Sequence, residues 1–175
     1  MVRASKGGRL AELFVARGCV ALGWNCLGDL AEYDDLLALQ QAYVAAYGNE
    51  KPAKAGNAAG MLHRFAQQIC EGDWVVTYMP DKRLYLIGED LGEYRHVPES
   101  EWLDQYANIR AVNWRWAASR DQLSKVVQNR LGATLTLFAL KPDVLSELLE
   151  NAQPVVSQLS PEPGGGQLSF PGYEI

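Results

Sequence analysis

"WVVTYMPDKRLYLIG", residues 74–88, decides the fold. Trp74 to Tyr78 is a run of β-branched and aromatic residues. Pro80-Asp81-Lys82 carries turn chemistry, and Arg83 to Gly88 returns with strand composition. Such a run, turn and return predict a β-hairpin. Working outward, Tyr106 to Trp116 predicts a longer strand, Cys19 to Leu22 a short one and Thr134 to Leu140 a late one. Val2 to Ala4 and Tyr94 to Val97 are further short candidates.

Helices are expected between these strands. Leu10, Leu13 and Phe14 recur at helical spacing from Arg9 to Arg17, and Gly18 supplies a stop. Asp34-Asp35 opens a helix whose buried stripe is Leu36, Leu37, Leu39, Tyr43, Val44 and Tyr47. Glu50 to Asn57 reads as a polar linker and Ala58 to Ile69 as a second helix. A polar helix is expected over Asp121 to Asn129, and Lys141-Pro142-Asp143 opens a last one through Leu149. The stretch "GEDLGEY", residues 88–94, reads as a turn. The fold class is therefore α+β, a small mixed β-sheet curled toward a barrel with two helices inserted early in the chain. Residues 1–152 form the domain. Residues 153–175, with "PEPGGG", have linker composition.

The chain has 175 residues, 48% hydrophobic and 21% charged, enough to bury one core. No apolar run reaches the roughly 20 residues of a membrane span and no signal-peptide pattern is present, so no membrane partner and a cytoplasmic location are expected. Cys19, Cys26 and Cys70 are odd in number and lack metal spacing, which predicts reduced thiols, most of them buried. The formal net charge is −5, but two segments run against it. Arg3, Lys6, Arg9 and Arg17 face only Glu12, and Arg110, Arg115, Arg120, Lys125 and Arg130 face only Asp121. Brought together, they would form an electropositive face; scattered, they would be solvated charge.

Catalytic machinery was sought and no residue is assigned to it. His63 and His96 lack a partner at metal-pair spacing, "GEDLGEY" lacks the Lys-Ser or Lys-Thr of a phosphate loop, and no acid-x-Lys pair lies on an expected strand. No catalytic residue, metal or cofactor is therefore expected. What remains suits recognition: a flipped nucleobase is stacked between aromatic faces and read along its edge. The strand "VALGWNC", residues 20–26, ends on a small residue, a large ring and an amide. Trp24 could stack and Asn25 could read, Arg3 and Arg110 could grip phosphates, and Tyr78, Tyr94 and Trp114 could supply further rings. Strand alternation also favours the core for Trp114.

At these residues the chain resembles the amino-terminal domain of bacterial Mrr-type restriction endonucleases. The resemblance rests on Arg3-Ala4-Ser5-Lys6-Gly7-Gly8, Val20 to Trp24, Gly28-Asp29-Leu30, Phe65 and Ile69, and Gly72-Asp73 with Val75-Val76 and Tyr78. It continues through Tyr85, Ile87-Gly88, Gly92, Tyr94 and Asn108 to Trp114. It covers roughly residues 2 to 140 and is specific in order and spacing rather than in any single motif. Ser5, Asn108 and Asn113 stand where the family pattern has glycine, histidine and lysine, and the last removes a phosphate contact. The domain type is similar to PUA and EVE-like pseudo-barrels. The resemblance implies a module that reads double-stranded DNA, with a flipped modified base, for an attached nuclease domain beyond the linker. The full-length protein would then be a type IV-like restriction endonuclease. The other expectations are a regulatory or protein-interaction domain, or a small-molecule sensor, controlling that nuclease without contacting DNA.

Overall fold

The computed structural model describes residues 1–48, 51–98 and 105–159. The hairpin forms as read: β2 (Trp74–Met79) pairs with β3 (Leu84–His96) from Trp74 opposite Glu89 to Met79 opposite Leu84. β3 then pairs with β4 (Asn108–Ser119). The other side of β4 takes β1 (Cys19–Leu22) at residues 108–111 and β5 (Ala152–Pro154) at residues 116–118. Every one of these pairings is antiparallel. The order is β1-β4-β3-β2, and the sheet curls into a half barrel. Around it lie α1 (Ala11–Arg17), α2 (Leu36–Tyr47), α3 (Pro52–His63), α4 (Lys125–Leu131), α5 (Pro142–Glu150) and α6 (Val155–Leu159). This is the α+β pseudo-barrel class expected, except that the described sheet is antiparallel throughout and not mixed.

The hairpin is buried on both faces, which is why it reads as a continuous apolar run. Val75, Met79, Leu84, Leu86, Val112 and Ala117 belong to a core shared with Phe14, Leu39, Leu62 and Phe65 from the early helices and the turn after them. Val76, Tyr85, Ile87 and Ala118 face a second core with Leu123, Val127, Leu131, Val144 and Leu148. Period-two alternation thus feeds two cores at once, each buried Val or Leu contributing about 1.5–3 kcal/mol.

Several expectations need correction. The "GEDLGEY" stretch is no turn but part of β3, with register shifts at Ile87/Gly88 and Asp90/Tyr94, and the strand expected at Tyr94 is its continuation. Gly88 permits the first shift. A Cβ there would lie 2.6 Å from the Asn113 carbonyl oxygen and 2.7 Å from Val112 Cγ1. The linker expected from residue 50 lies largely inside α3, which starts at Pro52; Glu50 itself is outside the described residues. Its buried face is Ala55, Ala58 and Ala59, which carry too little hydrophobicity to stand out in sequence. The α2 stripe narrows to Leu39 and Tyr43, leaving Leu36, Leu37 and Tyr47 exposed.

Thr134 to Leu140 makes no strand, only an extended segment bridged to Val2 at Leu137. The opening strand shrinks to the same bridge. The residue 2 amide donates to Val76 O and the Arg3 amide to Thr136 O, which wedges the chain start between β2 and this segment. Of the cysteines only Cys19 is buried; Cys26 and Cys70 are exposed. The linker expected from residue 153 begins inside β5, where Gln153 faces Ala117 and Pro154 faces Trp116. The "PEPGGG" stretch lies outside the described residues.

Arg110 is the largest correction. Its side chain is 2% exposed and pairs with the fully buried Asp90 at 2.7 Å through both Nε and Nη2. Its remaining N–H groups donate to the carbonyls of Phe65 (3.0 Å) and Ile69 (2.9 Å), at the end of the π-helical turn Arg64–Gln68 that follows α3. A wide turn leaves carbonyls unpaired, and the planar guanidinium satisfies them while its charge suits a helix C-terminus. It is not available to a phosphate.

Two outcomes follow. Asp90→Leu should destabilise the fold by about 3–5 kcal/mol in denaturant titration, because it strands a buried cation. Arg115→Ala, which breaks the exposed pair with Glu89, should cost under about 1 kcal/mol. Burial pushes the Cys19 thiol up to about 12. A maleimide should therefore label Cys26 and Cys70 in the native protein and reach Cys19 only on unfolding, as mass spectrometry would show.

Candidate functional site

The end of β1 answers the question posed by Gly23-Trp24-Asn25. Trp24 leaves the strand in the left-handed region (φ 62°, ψ 39°), a conformation non-glycine residues seldom hold. Two asparagines impose it. Asn108, fully buried on β4, donates from Nδ2 to the Gly23 carbonyl at 2.7 Å, and Asn25 Oδ1 accepts from the Ala107 amide at 3.0 Å. The turn is thus clamped to the start of β4 on both sides of the indole. Asn108 Oδ1 also accepts from the Tyr94 hydroxyl at 2.8 Å, and that hydroxyl accepts from the Leu30 amide at 2.9 Å. Burial raises the Tyr94 phenol well above its ordinary range, so it stays protonated and can donate.

Beside Trp24 opens a cleft of about 720 Å³. Its walls are Arg3, Ser5, Lys6 and Gly7 from the chain start, Ala21 to Asn25 from the end of β1, Tyr47 from α2, Gln105 and Tyr106, and Thr134 and Thr136. Another wall residue is held under strain. Ser5 has φ 66° and ψ −176°, a region that is essentially glycine's own and costs a serine of order 1–3 kcal/mol. Its hydroxyl bonds the Tyr106 hydroxyl at 2.6 Å and accepts from Arg9 Nε at 3.1 Å. Ser5 therefore holds a backbone conformation proper to glycine and adds an anchor for Tyr106. Gly8 ends the turn against Pro80, with a Cβ position only 2.2 Å from Pro80 Cδ.

A second cleft of about 270 Å³ lies on the other side of the Ser5 to Gly8 turn. It shares Arg3, Ser5 and Gly7 with the first and adds Tyr78, Tyr85 and Arg120. The Tyr78 and Tyr85 rings meet at 4.6 Å between centroids. On α2, partial desolvation and then the neighbouring Cys26 thiol raise the phenol of the largely exposed Tyr47 to about 12.

The expected site residues therefore separate. Trp24 and Arg3 line the main cleft, and the Arg3 guanidinium donates to the Thr134 carbonyl at 3.1 Å. Asn25 lines it too, but its side-chain oxygen is spent on the Ala107 amide, so it positions the turn instead of reading a base edge. Tyr78 belongs to the second cleft. Tyr94 is a structural link behind the turn. Trp114 is core, 7% exposed, its indole N–H donating to the Phe14 carbonyl at 3.0 Å. Arg110 is buried on Asp90. The later basic segment meets the chain start only in part: Arg110, Arg115 and Arg130 pair with Asp90, Glu89 and Asp143, whereas Arg120 lines the second cleft with Arg3.

Lys6 is expected only as part of a basic segment, and Ser5, Tyr47 and Tyr106 are not among the expected binding residues. Ser5 carried a signal, as a serine among glycines; Tyr106 carried none. Among the described residues no group of three His, Cys, Asp or Glu side chains could hold a metal ion, and no helix is long and apolar enough to cross a membrane.

Residues 3–141 match the family model described as "Domain of unknown function (DUF8426)", and the chain belongs to that family. No curated protein and no solved structure matches the chain.

Ser5→Ala keeps the strained backbone and loses the hydroxyl, whereas Ser5→Gly loses the hydroxyl and relieves the strain. Ser5→Gly should therefore be more stable than Ser5→Ala by about 1–3 kcal/mol in paired denaturant titrations. An equal loss in both would mean that Ser5 is unstrained.

Proposed function

We propose that this DUF8426 domain recognises DNA and takes one nucleobase into the cleft beside Trp24. The observation that carries the reading is the composition of that cleft. The half-buried Trp24 indole, the Tyr47 and Tyr106 rings and two cations, Arg3 and Lys6, line it together, and no carboxylate is among its described lining residues. In a chain of net charge −5 this is a local reversal of sign. A volume of 720 Å³ falls within the roughly 300–1,000 Å³ of small-ligand sites, so a planar heterocycle has room.

On this reading the division of labour is physical. Phosphates held by Arg3 and Lys6 give affinity that falls with salt, while stacking on Trp24 holds the base in the cleft so that its edge can be read. Thr134 and Thr136, with the Gln105 side chain, supply the polar contacts that Asn25 cannot, and a modified base would be distinguished there. The resemblance to Mrr-type enzymes supports a recognition module that directs an attached nuclease, the cut being made by that other domain.

Equilibrium titration of labelled duplexes with and without base modification tests this. Trp24→Ala should weaken binding to the preferred duplex by about 1–3 kcal/mol and erase the preference. Arg3→Ala and Lys6→Ala should each weaken all duplexes alike and lower the salt slope by about one. No binding of any DNA at low salt would defeat the proposal.

A further inference from the structure

The main cleft does not stand alone. On one side it shares Arg3 with the 270 Å³ cleft that holds Tyr78, Tyr85 and Arg120. On the other it shares Tyr47 with a cleft of about 150 Å³ formed by Tyr43, Lys51 and Lys54. Both flanking clefts are smaller than the roughly 300 Å³ at which separate small-molecule pockets begin. Each sets one accessible ring beside a cation, Tyr78 in the first and the shared Tyr47 in the second, with the buried Tyr85 and Tyr43 backing them and no carboxylate among the described lining residues. Lys51 and Lys54 are exposed, and the Tyr43 and Tyr47 rings lie 5.0 Å apart. A row of rings alternating with cations is what a single strand needs, since every base has a face to stack and every linkage a charge to hold.

We propose that the three clefts are consecutive subsites for one strand of DNA, so that the ligand is a single-stranded or locally opened segment and not an intact duplex with one displaced base. The proposal rests on the base-binding reading of the central cleft and extends it. The neighbours of the central nucleotide run outward, one past Arg3 toward Tyr78 and Arg120, the other past Tyr47 toward Lys51 and Lys54. Paired bases could not enter either flank, because both their faces are already covered by the stack.

Competition anisotropy with the intact chain tests this. The probes are a deoxynucleoside monophosphate, oligodeoxynucleotides of increasing length, and a stable hairpin duplex of the same sequence. Affinity should rise about tenfold with each added nucleotide until the flanks are filled and then level off. The single strand should outcompete the duplex at least tenfold. The double variant Lys51→Glu, Lys54→Glu, at exposed positions whose folding is checked by circular dichroism, should bring the longer strand back toward the monophosphate. If the monophosphate binds but length adds nothing, or if the duplex competes as well as the strand, the subsites are refuted while the central pocket stands. If no DNA binds at all, the base-binding reading falls and takes the subsites with it.

Discussion

One buried cation holds the architecture together. Arg110 projects from the central strand, takes both oxygens of Asp90 on the irregular part of β3, and closes the end of the turn that follows α3. A guanidinium removed from water is tolerable only when nearly all its donors are met, and here β3 and the turn after α3 meet them for a residue of β4. Their relative placement is thereby fixed. β4 in turn carries β1 and delivers the tryptophan turn to its cleft. A residue that would have been assigned to ligand contact on charge alone is what keeps the ligand-facing surface in place.

From this frame the cleft is assembled by backbone constraint more than by side-chain abundance. Asn108 and Asn25 hold a left-handed tryptophan, and Ser5 holds a backbone that belongs to glycine. Both strained residues border the same cavity. Strain of this kind persists only where surrounding contacts over-determine it, and it concentrates where a surface is shaped for a task. The two halves come from segments about twenty residues apart in sequence, joined through a strand more than eighty residues later.

The strands were legible because their chemistry is local. The hairpin, β1 and β4 follow from β-branched and aromatic runs with clear turns, and the glycine after α1 marks its end. The start of α3 was hidden because alanine packing against alanine has no amphipathic signature. The 88–94 stretch was misread because the same glycines that make turns also make room for a bulge. Trp24 and Arg3 were recoverable as cleft residues from position alone. Asn25, Trp114 and Arg110 were not, because an amide, an indole or a guanidinium has the same letter whether it is turned outward or consumed by a carbonyl across the fold. Tyr106 could be found only once β4 was seen to start beside the serine of a distant turn.

The pairing of β5 with the far end of β4 has a practical consequence. That strand borrows residues 152–154 to cover a ladder otherwise open on one side. A fragment trimmed at the apparent composition boundary would bare the amides and carbonyls of Trp116, Ala117 and Ala118. Such an uncapped edge recruits strands from other molecules. A shortened chain would then self-associate and precipitate even with its cavity whole, and loss of soluble protein could be mistaken for loss of binding.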